Sequence, residues 1–381
     1  MVSERIEHLP LQCVLRNGDI ISQQQFTQLI LDQEGVDSLT LLTQSYMTPP
    51  REGGSAIKIH NHLLKLANQG TFVHVGIDHN YAHLIAPNSD FPNRLAPFFM
   101  DRSNLKSDQL KQTRLYEDLA KHPNIDLVFH GNNDIRILPF SKFDHRKILR
   151  VKGSPIQDFA VIYGFNIDAT LDHDVDSGIY ITDSNALEWI DTQPHKEQNA
   201  KPEKVIFDGM TFITREAIAK GGKLADQEVN NVIQQAENNI LFCGQFIPDG
   251  RLLQDLINAA DRGVEVAVVS NRPSLSRQPM YVFTRKILER KLAGVCKSRN
   301  NFQLYVPEDQ NAFIHVKALL ADTDNPAKTR VITGTDNLSN PMFGYIKTRE
   351  ILVELTDLNY TTNLYKYLQK NVLVDLERVQ F

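Results

Sequence analysis

Apolar residues in this chain fall into short β-branched and leucine-rich runs separated by amphipathic stretches of helical period, and the order of these elements repeats. Leu63 to Asp78 reads LLKLANQGTFVHVGID, and Leu256 to Asn271 reads LINAADRGVEVAVVSN. At constant spacing Leu63 falls on Leu256, Ala67 on Ala260, Gly70 on Gly263, Val73 on Val266 and Asp78 on Asn271. Each segment predicts a helix that ends on a left-handed glycine, followed by a buried strand. Upstream of each lies another β-rich run, Ser38 to Tyr46 and Asn239 to Phe246. Strand, loop, helix and strand make a βαβ unit, whose strands pair in parallel. The chain therefore predicts an α/β fold built twice.

The repeat continues into residues that carry chemistry. His145-Arg146-Lys147 opens a predicted strand to Val151, and His315-Val316-Lys317 opens another to Ala321. The next predicted strands, Phe159 to Tyr163 and Arg330 to Thr333, run into Gly164-Phe165-Asn166 and Gly334-Thr335-Asp336-Asn337. An acidic residue then enters the following strand in both copies, Asp176 before Gly178 to Thr182 and Glu350 before Ile351 to Leu355. Helices follow from near Ser184 and over Asn359 to Leu368.

One His-x-Lys is an ordinary surface strand; two, each trailed by a Gly-x-Asn or Gly-x-x-Asn, point to a duplicated catalytic half-site. A histidine serves as nucleophile or as general acid/base. On a strand, the lysine two residues on shares its side of the sheet. Lys147, Lys317, Asn166 and Asn337 then form a phosphate-binding set for anionic oxygen. One of two facing imidazoles attacks phosphorus while the other protonates the leaving oxygen, and the lysines supply the positive charge a metal would bring. Asp176 and Glu350 are expected to support the histidines by accepting from the ring nitrogen not used in chemistry, fixing the tautomer.

The second copy, His315-x-Lys317-x4-Asp322 with Gly334-Thr335-x-Asn337, set in Phe313-Ile314-His315-Val316-Lys317-Ala318-Leu319-Leu320, resembles the phospholipase D superfamily of HKD-motif phosphodiesterases and phosphatidyltransferases. The first copy departs from the pattern: Lys152 stands where the family has aspartate, Asp158 is out of register, and Tyr163 replaces a small residue. The resemblance covers about Ser38 to Leu355. It implies two tandem α/β/α sandwich halves, residues 1–195 and 205–381, each with a central mixed sheet, related by a pseudo-twofold axis with one active site between them. It also implies a two-step displacement at a phosphodiester through a phosphohistidine, with no cofactor. By the family's usual order His145 is the nucleophile and His315 the acid/base, while Asp322 supports the site without reacting. The activity expected is hydrolysis or transfer of the phosphatidyl group of phospholipids. A nuclease on the same fold is the alternative. A non-catalytic binding module, motivated by the missing aspartate, is a second. With both motifs in one chain, a monomer suffices to build the site.

Composition narrows the picture. The 381 residues are 41% hydrophobic and 23% charged, ordinary for two globular domains. The polar stretch Asp191 to Lys204 reads as the linker. Three scattered cysteines, Cys13, Cys243 and Cys296, fit a reducing compartment. No run approaches the roughly 18 apolar residues that span a bilayer, and the N-terminus lacks the apolar core of a secretory signal. The expectation is a cytoplasmic or peripheral membrane protein, or one exported without a cleaved signal. A net charge of -5 weighs against nucleic acid as the substrate. Arg285 to Lys297 reads as an amphipathic helix, either a plain solvated face or a contact for anionic lipid or nucleic-acid phosphate. His74, Asp78, His79 and His83 lack the helical placement of a zinc motif and read as a strand-end loop at the site mouth. Met47 to Pro50 and Ile247 to Gly250 are expected to line the cleft. Phe91, Leu95, Phe98, Phe99 and Met100 form either an apolar lip for acyl chains or a buried subdomain core.

Overall fold

The computed structural model describes residues 10–44, 46, 53–78, 114–130, 142–167, 169–172, 174–196, 201–215, 222–248, 250–271, 290–309, 313–335, 338 and 347–379. The first half runs β1 (Ile20–Ser22), α1 (Gln23–Leu31), β2 (Ser38–Thr43), α2 (Ser55–Asn68), β3 (Phe72–Asp78), β4 (Ile125–His130), β5 (Lys142–Asp144), β6 (Ile148–Lys152), β7 (Phe159–Tyr163), β8 (Asp174–Val175), β9 (Ser177–Ile181) and α3 (Ser184–Thr192). The second runs β10 (Lys204–Phe207), β11 (Met210–Arg215), α4 (Gly222–Gln235), β12 (Asn239–Gly244), α5 (Gly250–Asp261), β13 (Glu265–Ser270), β14 (Phe302–Pro307), β15 (Phe313–Ile314), β16 (Ala318–Ala321), β17 (Arg330–Gly334), β18 (Lys347–Leu355), α6 (Leu358–Asn371) and β19 (Leu376–Arg378).

Local chemistry marks these boundaries. Ser22 and Gln25 form a reciprocal capping box that starts α1, and Asp183 caps α3. Gly70 and Gly263, just past α2 and α5, take φ of 99° and 95°, where a β-carbon is strained. The two sheets repeat one order: β9-β7-β6-β2-β3-β4 in the first and β18-β17-β16-β12-β13-β14 in the second. β2–β3–β4 and β12–β13–β14 pair in parallel, as the βαβ pattern requires, while β6, β7, β16 and β17 pair antiparallel. Both sheets are therefore mixed.

Each central strand is buried on both faces, and its side chains alternate between two cores. Phe159, Val161 and Tyr163 join the cluster under α1 and α2, while Ala160 and Ile162 point the other way. In the second half Leu319 and Ala321 join the cluster under α4 and α5, and Ala318 and Leu320 point away. The outward-turned residues of the two sheets share a third cluster with Ile190 of α3 and Leu364 and Leu368 of α6. The sheet faces turned away from α1, α2, α4 and α5 thus share one core, which α3 and α6 also enter. The basic segment read from Arg285 is helical over 290–298, and its Leu292 and Val295 pack into the second-half core.

Two very short strands cross between the halves. β5 pairs in parallel with the start of β18, and β15 pairs in parallel with β8. This corrects one expectation. The strands expected to begin at His145 and His315 begin at Ile148 and Ala318 instead. The intervening triplets belong to no strand, because there the chain leaves one half's pairing and enters the other's. The linker also starts later than expected: Asp191 is in α3, paired with Arg150 at 3.0 Å and with Lys152 at 2.8 Å.

Candidate active site

The crossing strands deliver each histidine to a carboxylate of the opposite half. His145 Nδ1 lies 2.8 Å from Oε1 and 2.9 Å from Oε2 of Glu350. His315 Nδ1 lies 2.6 Å from Oδ2 of Asp176. The backbone repeats the exchange, since His145 N donates to Arg349 O at 3.0 Å and His315 N to Val175 O at 2.9 Å. Nδ1 of each ring thus faces a carboxylate, and Nε2 of His315 lies 3.3 Å from Lys317 Nζ.

Both lysines are buried and fold back on their own triplet. Lys147 Nζ donates to His145 O at 3.1 Å, and Lys317 Nζ to His315 O at 2.6 Å. Lys317 Nζ also lies 3.4 Å from Asp176 Oδ2 and 3.0 Å from His315 Nδ1. The half-sites differ electrostatically. Burial raises the Asp176 carboxyl, but Lys317 and His315 outweigh it and hold the group below its usual range. Burial, helped by Lys317, pushes His315 down to about 4, so its imidazole is neutral in the ligand-free site. On the other side burial pushes Glu350 up to about 7 and Lys147 down to about 7. Desolvation of the charged form drives both of these shifts.

Glu350 gives a stability prediction with a definite sign. Its value in the folded protein lies above the ordinary 4.5, so the folded protein keeps a proton that the unfolded chain gives up between pH 4.5 and about 7. That contribution is complete below pH 4.5 and is lost as pH rises through about 7. Glu350→Gln keeps the neutral shape and removes the titration. The thermal midpoint of wild type, measured against this variant, should fall as pH rises through that window; a pH-independent difference would refute the assignment.

The remaining expected site residues fall at three kinds of place. Asn166 sits in the turn after β7, which carries the Tyr163 N to Lys147 O bond of 3.2 Å, and its buried Oδ1 has no hydrogen-bond partner among the described residues. Asn337 lies outside the described residues, as do Met47 to Pro50, His79, His83 and the aromatic run Phe91 to Met100. Asp322 is elsewhere. It stands beyond the far end of β16, roughly 15 Å of strand from Lys317, and its carboxylate accepts from the backbone N of Glu237, Asn238 and Asn239 at 2.9, 2.7 and 3.4 Å. It anchors the entry to β12 and does not reach the histidine. Asp322→Ala is accordingly expected to cost about 1–3 kcal/mol in denaturant unfolding, the penalty of stranded buried donors, while the folded variant keeps wild-type kinetic constants. A selective loss of turnover would place Asp322 back in the site. In the first copy, Lys152 at this position pairs with Asp191, and Asp158 instead accepts from Gly153 N at 2.8 Å.

Three contributors had no role assigned from sequence. Thr335 Oγ1 donates to Glu350 Oε2 at 2.6 Å and accepts from Ile351 N at 2.9 Å, which ties the carboxyl to the start of its own strand. Tyr367 of α6 donates to Asp176 O at 2.6 Å. Gly164 allows the close approach of Asp176, because a β-carbon there would lie 2.4 Å from Oδ1. The motif spelling held a signal for Thr335 and Gly164; nothing local marked Tyr367. His74, from the histidine-rich stretch, pairs across strands with Asp126 at 2.8 Å. Among the described residues no group of three His, Cys, Asp or Glu is arranged to hold a metal ion.

Two repeated halves thus exchange short strands, and each sets its histidine against a carboxylate of the other. Residues 229–372 match the family described as cardiolipin synthase, PLD-like domain. Phosphatidylserine synthase of Haemophilus influenzae Rd KW20 superposes with a TM-score of 0.68 at 12% identity, covering 95% of this chain and 87% of that one. Polyphosphate kinase of Porphyromonas gingivalis superposes with a TM-score of 0.53 at 12% identity, over 92% of this chain and 49% of that one. The phospholipase D family member Nuc of Salmonella typhimurium covers 45% of this chain and 99% of its own, at 15% identity and a TM-score of 0.33. No curated protein matches the sequence. Residues 229–372 thus carry the PLD-like domain of that family, and the likeness to the phosphatidylserine synthase extends one shared fold over nearly the whole chain.

Proposed function

We propose that this protein is a metal-independent phosphodiesterase that hydrolyses or transfers the phosphatidyl group of phospholipids through a phosphohistidine, its site built between halves 1–195 and 205–381. The observation that carries this reading is the crossed pair of buried histidine–carboxylate contacts with a lysine folded against each. In the first step His145 Nε2 bonds to phosphorus, the phosphorus–oxygen bond to the head group breaks, and His315 Nε2 gives its proton to the departing oxygen. In the second, His315 takes a proton from water or an acceptor alcohol, the new oxygen–phosphorus bond forms, and the nitrogen–phosphorus bond breaks. His315 is neutral in the empty site; a bound phosphodiester anion stabilises its imidazolium, so acid competence arrives with the substrate. Lys147, Lys317 and Asn166 are assigned the phosphoryl oxygens, with Asn337 added on its place in the motif, and the lysines balance charge as it develops.

The lipid assignment draws on the family description and on the full-length likeness to a phosphatidylserine synthase. Among the described residues no helix is long and apolar enough to cross a membrane. The test is incubation with mixed phospholipid vesicles, EDTA and ethanol, followed by mass spectrometry of the lipids. Phosphatidylethanol formed by wild type and not by His315→Asn is the expected result. If neither phosphatidylethanol nor phosphatidic acid forms, the lipid assignment fails; salt-sensitive cleavage of DNA or RNA under the same conditions would put a nuclease in its place.

A further inference from the structure

Residues 145–147 and 315–317 make no regular strand pairing, so the backbone beneath each reactive ring must be fixed by other means. One anchor comes from the opposite half, where Arg349 O and Val175 O accept from the histidine N–H groups. A second comes from the triplet's own half and is made by a side chain. Asp78, the last residue of β3, accepts from Asp144 N at 2.5 Å. Asn271, the residue after β13, accepts from Ile314 N at 2.7 Å and donates to Ile314 O at 2.8 Å. Asp144 and Ile314 each stand immediately before the histidine. Asp78 and Asn271 occupy the same position in the repeat and are 1% and 2% exposed.

We propose that Asp78 and Asn271 are paired positioning residues, which fix the backbone one residue ahead of each catalytic histidine. The proposal rests on the function given above. A carboxylate and an amide of equal length share one property here, an oxygen that accepts from the held backbone N–H. Consecutive N–H groups of an extended chain point to opposite sides. The residue before the histidine is therefore tied to its own sheet, and the histidine to the other. Releasing one tie lets the ring drift relative to phosphorus, where a displacement near 1 Å costs about 100-fold in rate. Asn271 also donates to Gln245 O at 3.2 Å, which binds its triplet to the loop after β12.

The test uses Asp78→Leu and Asn271→Leu, which keep the branch at Cγ and remove the acceptor, with Asp78→Asn as the conservative control. Two readouts are taken on the full chain: kcat and KM on phospholipid vesicles, and amide hydrogen exchange of peptides spanning 144–147 and 314–317. The expected result is a 10- to 100-fold fall in kcat for each leucine variant, measured below its own thermal midpoint, which the stranded backbone donor lowers, with KM near wild type. Exchange should quicken only in the peptide of the altered half, and Asp78→Asn should behave as wild type. Unchanged kcat with unchanged exchange overturns the proposal, as does an Asp78→Asn loss equal to that of Asp78→Leu. Should wild type cleave no phosphodiester, the functional reading falls, and the exchange rates alone then decide whether the two side chains hold these segments.

Discussion

Replacing either histidine by asparagine is expected to lower turnover by about four orders of magnitude or more, and replacing both to cost little beyond the worse single change. Asparagine preserves much of the shape and a polar contact to the carboxylate, but can neither bond to phosphorus nor shuttle a proton at neutral pH. Non-additivity follows from the chemistry, because attack without leaving-group protonation, or protonation without attack, completes no cycle. The two variants should differ in what they trap. On a p-nitrophenyl ester, whose leaving group departs without a proton, His315→Asn retains the nucleophile and should accumulate a phosphorylated His145 visible by mass spectrometry after a rapid quench. His145→Asn should accumulate none. Phosphate on residue 315 in the His145→Asn variant would reverse the two roles.

The second large effect is expected where linear proximity would not place it. Asp176 is a first-half residue, yet Asp176→Asn should disable the histidine of the second half, lowering turnover on a phospholipid by about 10^3- to 10^4-fold, as removal of a tautomer-fixing carboxylate does. Glu350→Ala should disable His145. The two defects separate by leaving group. A p-nitrophenyl ester departs without a proton, so Asp176→Asn should form the phosphohistidine on it at near wild-type rate and stall at breakdown. Glu350→Ala should be slow in formation with either substrate. Stopped-flow burst amplitudes make the comparison; equal bursts in the two variants would refute the crossed assignment.

Much of the fold can be read from the sequence because its signals are local. Phe159 to Tyr163 is a strand over those same residues, and Gly70 and Gly263 end their helices with positive φ as expected. The mixed sheet emerges from two βαβ units followed by short apolar runs. What cannot be read is what depends on distance through space. The strand pattern gives Asp176 and Glu350 as carboxylates near histidines, but no local feature says that each serves the other half. The triplets look like strand because a lysine follows a histidine by two; the change of sheet at those residues is a tertiary event. Asp322 is five residues from Lys317 in sequence, and an extended strand turns that into the length of β16. Tyr367 reaches Asp176 O from a helix whose sequence shows only amphipathic period.

The crossed strands also give the protein a history during its own synthesis. His145 and Glu350 are 205 residues apart, a stretch a ribosome takes roughly 10 to 40 s to translate at 5–20 residues per second. Throughout that interval the emerging first half holds a histidine without its orienting carboxylate, and a lysine with no partner triplet opposite. A truncated or stalled product therefore lacks both crossed contacts. The centre exists only once the last sheet closes, and its presence is a report that both halves have folded and met.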